Sequence, residues 1–159
     1  MCLVCRTHRD FTIRYKVEIE IDGILLKRTW YDRMFRILLA EDDPDVLLLF
    51  EEVLVGAGYQ VDTATTCREA GQLLVLREYD LLVSDGRLPD GSGIMLADIA
   101  KARRIPALIV TGYRGWLHER HPQLDINAYK VLSKPVTPRV LLGAITKTMA
   151  ASVSDGAKP

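Results

Sequence analysis

The chain has no excess of either charge: Lys plus Arg and Asp plus Glu stand at 21 each among 159 residues. That balance removes the electrostatic case for DNA, RNA or an anionic membrane surface as a partner. No apolar run approaches the roughly 18 residues of a membrane span. The N-terminus lacks the basic-then-apolar layout of a secretory signal. These absences point to a cytoplasmic protein. Cysteine is scarce, with Cys2, Cys5 and Cys67 only. An odd count with two crowded at one end is no disulfide framework. Cys2-x-x-Cys5 with His8 nearby lacks the second ligand pair that a structural zinc needs.

What is present is an apolar content of 48% with 26% charged residues, enough for one domain with a real core. There is no internal repeat. The first 34 residues differ from the rest. Phe11, Ile13, Tyr15, Val17, Ile19 and Ile21 alternate with polar residues, the period of a half-buried strand. Asp22-Gly23 is a strong hairpin signal, and Ile24 to Trp30 can return as the second strand. A lone hairpin is marginal in water, so this arm must dock, pair with another chain or stay mobile. A second reading makes Met34 the natural start.

From Phe35 the pattern turns regular. Phe35 to Ala40 reads as a strand ending in Glu41-Asp42-Asp43. Asp43 and Pro44 suit the start of a helix that ends at Gly58. Tyr59 to Thr63 is a second strand, and Thr66-Cys67-Arg68-Glu69 is a capping box opening a second helix. Leu81 to Ser84 is a buried strand that stops on Asp85, before the loop Gly86-Arg87-Leu88-Pro89-Asp90-Gly91-Ser92-Gly93. Ile94 to about Arg103 is a third helix, and Ala107 to Val110 a strand ending at Thr111. Residues 113–128 are more polar, with a weak helix around Gly115 to Arg120. Lys130 to Ser133 is a fifth strand ending at Lys134-Pro135. Thr137-Pro138 caps a last helix, and residues 151–159 read as a disordered tail. Strand and helix alternate five times, which predicts an α/β fold with a doubly wound parallel sheet. The parts are an extension over 1–34, a domain over 35–150 and the tail.

In such a sheet the strand ends share one edge, where open α/β folds keep their chemistry. Glu41, Asp42, Asp85, Thr111 and Lys134 all fall there. A lone aspartate after a strand is more often a turn or cap, and a lone Lys or Thr there is more often structural. Five such groups in this order along the strand ends point to a site. Three crowded carboxylates repel unless a cation joins them. Mg²⁺ suits all-oxygen donors. A carboxylate beside Mg²⁺ can attack phosphorus, with Lys134 and Thr111 serving the transferring phosphoryl group.

Residues 35–150 resemble the receiver domain of two-component response regulators. Glu41-Asp42 resembles the family's acidic pair, Asp85 its phospho-accepting aspartate, and Leu88-Pro89-Asp90-Gly91-Ser92-Gly93 the loop after it. Thr111 matches the switch hydroxyl and Lys134-Pro135 the Lys-Pro after strand five. The resemblance implies a flavodoxin-like strand order 2-1-3-4-5. It implies Mg²⁺ held by Asp42, Asp85 and the Arg87 carbonyl, with Glu41 acting through water. It also implies a cis Lys-Pro peptide and a phosphoryl supply from a histidine kinase or histidine phosphotransfer protein. As a stand-alone receiver, a monomer or weak dimer, the protein would signal by binding an unknown downstream protein. The output face would be formed by the fourth helix, fifth strand and fifth helix.

The sequence departs from the family in three places. Val131 stands where an aromatic switch residue is usual, with Tyr129 two residues earlier on the same face. The link from Asp85 to Thr111 is short. The arm has no counterpart. The alternative function is a phosphate-independent interaction module, which a degenerate pocket would favour; here every pocket position is filled. A phosphohydrolase of the haloacid dehalogenase type would need Asp where Arg87 stands, and a nucleophile after the first strand.

Overall fold

The computed structural model describes residues 6–7, 12–21, 24–112, 115, 119 and 129–155 of the chain. Three strands come first: β1 (Arg6–Thr7), β2 (Thr12–Ile21) and β3 (Ile24–Met34). They form an antiparallel sheet in the order β1-β2-β3. β2 and β3 pair along their whole length, from Thr12 opposite Met34 to Ile21 opposite Ile24, with an irregularity at Ile19/Glu20. The expected hairpin is therefore present. It gains a short third strand, and β3 runs four residues past Trp30. The Asp22-Gly23 turn itself lies outside the described residues.

The second sheet holds β4 (Arg36–Ala40), β5 (Gln60–Ala64), β6 (Leu81–Asp85), β9 (Ala107–Thr111) and β10 (Lys130–Ser133). Its order is β10-β9-β6-β4-β5 and every pairing is parallel. Counted from β4, that is the predicted order 2-1-3-4-5. The helices whose full extent lies among the described residues are α1 (Pro44–Gly56), α2 (Cys67–Leu76), α3 (Gly93–Ala102) and α4 (Pro138–Asp155). α4 continues through residues 151–155, where a disordered tail was expected. The predicted weak helix around Gly115 to Arg120 falls almost wholly outside the described residues.

Near-continuous apolar strands explain the two helical layers. Alternate residues of a strand face opposite sides, so a run buried throughout needs cover on both. Ile37, Leu39, Leu81, Val83, Leu108 and Val110 pack on one side with Phe50 and Leu54 of α1 and Leu141 and Ile145 of α4. Leu38, Ala40 and Leu82 pack on the other with Ala70 and Leu74 of α2 and Leu96 and Ala100 of α3. Each fully buried Leu or Ile contributes about 2 kcal/mol of transfer free energy.

Helix starts follow local chemistry. Asp43 accepts from the backbone N–H of Asp45 (3.0 Å) and Val46 (3.1 Å) at the head of α1. Thr66 Oγ1 accepts from the Glu69 N–H at 3.1 Å, and the Glu69 carboxylate accepts from the Thr65 N–H at 2.9 Å. The predicted capping box thus closes one residue earlier than its usual reciprocal bond.

The segment after Asp85 is more ordered than the loop expected from sequence. β7 (Arg87–Leu88) and β8 (Gly91–Ser92) form a short antiparallel ladder, with Arg87 opposite Ser92 and Leu88 opposite Gly91.

Candidate functional site

Strand register sets the site. Ala40 lies opposite Ser84, Asp85 opposite Val110, and Ser133 opposite Thr111. The ladders continue one residue past the strands. The Glu41 N–H donates to the Ala64 carbonyl (3.0 Å), Gly86 to Val110 (3.2 Å) and Lys134 to Thr111 (2.7 Å). Backbone bonds therefore hold Glu41, Asp85, Thr111 and Lys134 at one edge before any side chain makes contact.

Lys134 then ties the acids together. Its Nζ donates to Glu41 Oε1 (3.0 Å) and Oε2 (2.7 Å) and to Asp85 Oδ2 (2.6 Å). The second Asp85 oxygen, Oδ1, accepts from the Arg87 N–H at 3.0 Å. The Ser84 hydroxyl donates to the Asp85 backbone carbonyl at 2.9 Å. Glu41 is 1% exposed, whereas Asp42 lies open to solvent. Burial pushes the Glu41 carboxyl up to about 7; the Lys134 hydrogen bond opposes this and the Asp85 charge reinforces it. Burial works against the Lys134 ammonium, but its bonds to Asp85 and Glu41 outweigh that and hold its pKa above the ordinary lysine value.

One carboxylate oxygen from each of Glu41, Asp42 and Asp85 lies within 4.8 Å of the others. They line a cleft of about 420 Å³, completed by Asp43, Arg87, Thr111, Gly112 and Lys134. All six residues singled out in the sequence are brought together here. An all-oxygen set with one exposed carboxylate at its mouth fits a hard divalent cation such as Mg²⁺. Burial is the main reason the Glu41 carboxyl is pushed up to about 7, and a cation bound beside it would favour its charged form.

Two features were not legible beforehand. Asp43 lines the cleft, although its carboxylate also caps α1. Gly93 is sterically required, because an added Cβ would collide with the Asp85 carbonyl oxygen. Its N–H also donates to the Gly86 carbonyl at 3.1 Å. The glycine-rich motif was visible, but not which glycine the packing demands.

Lys134-Pro135 is cis, as the resemblance implied. Val131 is half-buried and, with Tyr129, packs against Ile94, Ala97 and Ile109. The Tyr129 hydroxyl donates to Asp98 Oδ1 of α3 at 2.6 Å. That bond, with burial second, pushes the phenol up to about 12. Tyr129 therefore ties the start of β10 to α3. The part of the expected output face that would fall in residues 113–128 lies largely outside the described residues.

Residues 37–146 match the family model of the response regulator receiver domain. The chain belongs to that family. It is 35% identical over 101 residues to the response regulator protein PilR of Pseudomonas aeruginosa, covering 62% of this chain and 22% of that one. It is 31% identical over 115 residues to a probable transcriptional regulator, ycf29, of Porphyra purpurea, covering 70% and 54% respectively. The chain thus spans about half or less of the length of these two curated relatives. Among solved structures, a CheY-like receiver domain protein from Methanospirillum hungatei has a TM-score of 0.66 at 27% identity, covering 77% of this chain and 99% of that one. The response regulator protein TrrA from Thermotoga maritima, in complex with Mg(2+)-BeF, has a TM-score of 0.63 at 28% identity, covering 72% and 99%. No helix among the described residues is long and apolar enough to cross a membrane.

Proposed function

We propose that this receiver accepts a phosphoryl group on Asp85 from the phosphohistidine of a histidine kinase or phosphotransfer protein, in a Mg²⁺-dependent step. The carrying observation is the Asp85 carboxylate itself, oriented through one oxygen by Lys134 (2.6 Å) and through the other by the Arg87 N–H (3.0 Å), within an acidic cleft. The reading is the same whether the chain acts alone or joined to an output segment.

In the transfer, an Asp85 oxygen attacks phosphorus. A P–O bond forms, the P–N bond to the imidazole breaks, and the electron pair passes to the ring nitrogen, which takes a proton from solvent. Asp42, Asp85 and the Arg87 carbonyl would hold the metal, with Glu41 behind them. When bound, Mg²⁺ would neutralise the carboxylates and the oxygens of the incoming group. Lys134 would supply positive charge to the acyl phosphate, and Thr111, which lines the same cleft, would donate its hydroxyl to it. Lys134 already bridges Glu41 and Asp85, so it can follow the charge as it moves from carboxylate to phosphoryl. Binding of a downstream protein would then depend on the phosphorylated state.

The test is incubation with phosphoramidate and Mg²⁺, followed by intact mass measurement. One phosphoryl group should be added, and Asp85→Asn should abolish it. Phosphate still carried by the Asp85→Asn protein, on Asp43 or Asp90, would overturn the assignment.

A further inference from the structure

The segment that follows Asp85 is fastened at its tip to another element. The Asp90 carboxylate accepts from the Cys67 N–H (2.6 Å) through Oδ1 and from the Arg68 N–H (2.9 Å) through Oδ2. These are the first two N–H groups of α2, which have no partner within a helix. Thr66 serves the third, that of Glu69. Asp90 therefore completes a cap that α2 cannot supply from its own sequence. Around it the fit is close. A Cβ added to Gly91 would stand 2.8 Å from Cys67 Sγ, and that sulfur lies 3.6 Å from the Ser92 carbonyl oxygen. From this tip the ladder leads straight back to the site. Ser92 pairs with Arg87, and the Arg87 N–H holds Asp85 Oδ1.

We propose that Asp90 is a positioning residue for the metal and acceptor site: by clamping the β7–β8 tip to the start of α2, it fixes where Arg87 presents its backbone to Asp85 and to Mg²⁺. The proposal rests on the phosphoryl-acceptor reading for its role in transfer, but its effect on metal affinity stands apart. Groups behind the direct ligands typically change metal affinity about 10- to 100-fold when removed.

The experiment titrates Mg²⁺ alone into the full chain by calorimetry, and in parallel follows amide exchange over residues 86–92. Asp90→Ala should weaken Mg²⁺ binding about ten-fold and speed that exchange. Asp90→Asn, which keeps an acceptor oxygen, should recover part of both. Thr66→Ala removes a cap at the same helix end without touching the tip. It should lower the melting temperature by a few degrees yet leave Mg²⁺ affinity unchanged. Gly91→Ala should weaken Mg²⁺ binding from the opposite side of the clamp, and adding Cys67→Ala should relieve this in part. Unchanged Mg²⁺ affinity in Asp90→Ala, or an equal loss in Thr66→Ala, overturns the proposal. If the wild type binds Mg²⁺ but takes no phosphate, the acceptor reading fails while the affinity series still decides for or against Asp90. If the wild type binds no Mg²⁺, both fall.

Discussion

Two charged clusters sit toward opposite ends of the five-stranded sheet, and they are built on different terms. At the carboxyl edge Glu41, Asp42 and Asp85 crowd together, with Lys134 bonded to two of them. Toward the amino edge Asp62 accepts from the Tyr79 hydroxyl (2.8 Å) and pairs with Arg77 (3.1 Å) and Arg36 (3.4 Å). There the Arg36 N–H also donates to Asp80 Oδ2, and the Asp80 N–H to the Arg36 carbonyl, both at 2.8 Å. The amino cluster has more donors than its acid needs. Burial alone would raise the Asp62 pKa, but Tyr79, Arg77 and Arg36 together hold it below the ordinary value. The carboxyl cluster is short of positive charge, and burial pushes Glu41 up to about 7. The amino arrangement offsets Asp62 with two guanidinium groups and reads as structural, although the buried Arg36 Nε makes no hydrogen bond there. The other sets three carboxylates beside one ammonium, an arrangement that suits a hard divalent cation.

The sharpest way to break this contrast is Lys134→Ala. Without metal it leaves Glu41 and Asp85 facing each other with no cation between them. Stability in metal-free buffer should fall by about 3 kcal/mol. Added Mg²⁺ should then raise the melting temperature of the variant more than that of the wild type. A variant as stable as wild type without metal would mean that the carboxyl edge is not short of charge.

A smaller effect belongs to the amino cluster. Asp62→Asn should cost about 0.5–1 kcal/mol at neutral pH, solvent screening included. The sign of its pH dependence follows from the lowered pKa. A carboxyl depressed in the folded state stabilises above its unfolded value, here 3.8, and that contribution is lost as pH falls through the folded value below it. Melting curves of wild type and variant should therefore differ by a constant amount from pH 7 to about pH 5 and converge in more acid solution. A gap that persists at the lowest pH would assign the loss to packing and not to charge.

The smallest expected effect comes from removing the arm, which enters the sheet at the amino edge. β3 ends at Met34, and only Phe35 separates it from β4. Among the described residues, the strands of the arm pair with one another and not with the five-stranded sheet. Arg36 is held by Asp80 and Asp62, both within the domain. A chain starting at Met34 should fold, bind Mg²⁺ and accept phosphate with a melting temperature within a few degrees of the full chain. Aggregation or a much lower melting point would show that the amino edge is not self-sufficient.

Much of this was written locally. Asp43 and Thr66 announce helix starts because their short side chains reach N–H groups two or three residues on. Leu81 to Ser84 announces a buried strand, and parallel strands must end on one edge, so Glu41, Asp85, Thr111 and Lys134 could be placed at that edge from the chain alone. The order of the strands came from resemblance to a family, since five similar strands can be shuffled without changing any local signal.

Contacts between distant segments were beyond local reading. Lys134 reaches Glu41 across 93 residues and Asp85 across 49. Asp90 reads as a turn residue but caps a helix that starts 23 residues earlier. Tyr129 spans 31 residues to Asp98, and Gly93 is confined by the Asp85 carbonyl. Propensity and periodicity act over a few residues, so the sequence alone settled which groups come to the edge. Which of them touch was decided by the parallel register and by how α2 and α3 pack on the sheet, because only those fix distances between side chains that the chain itself keeps far apart.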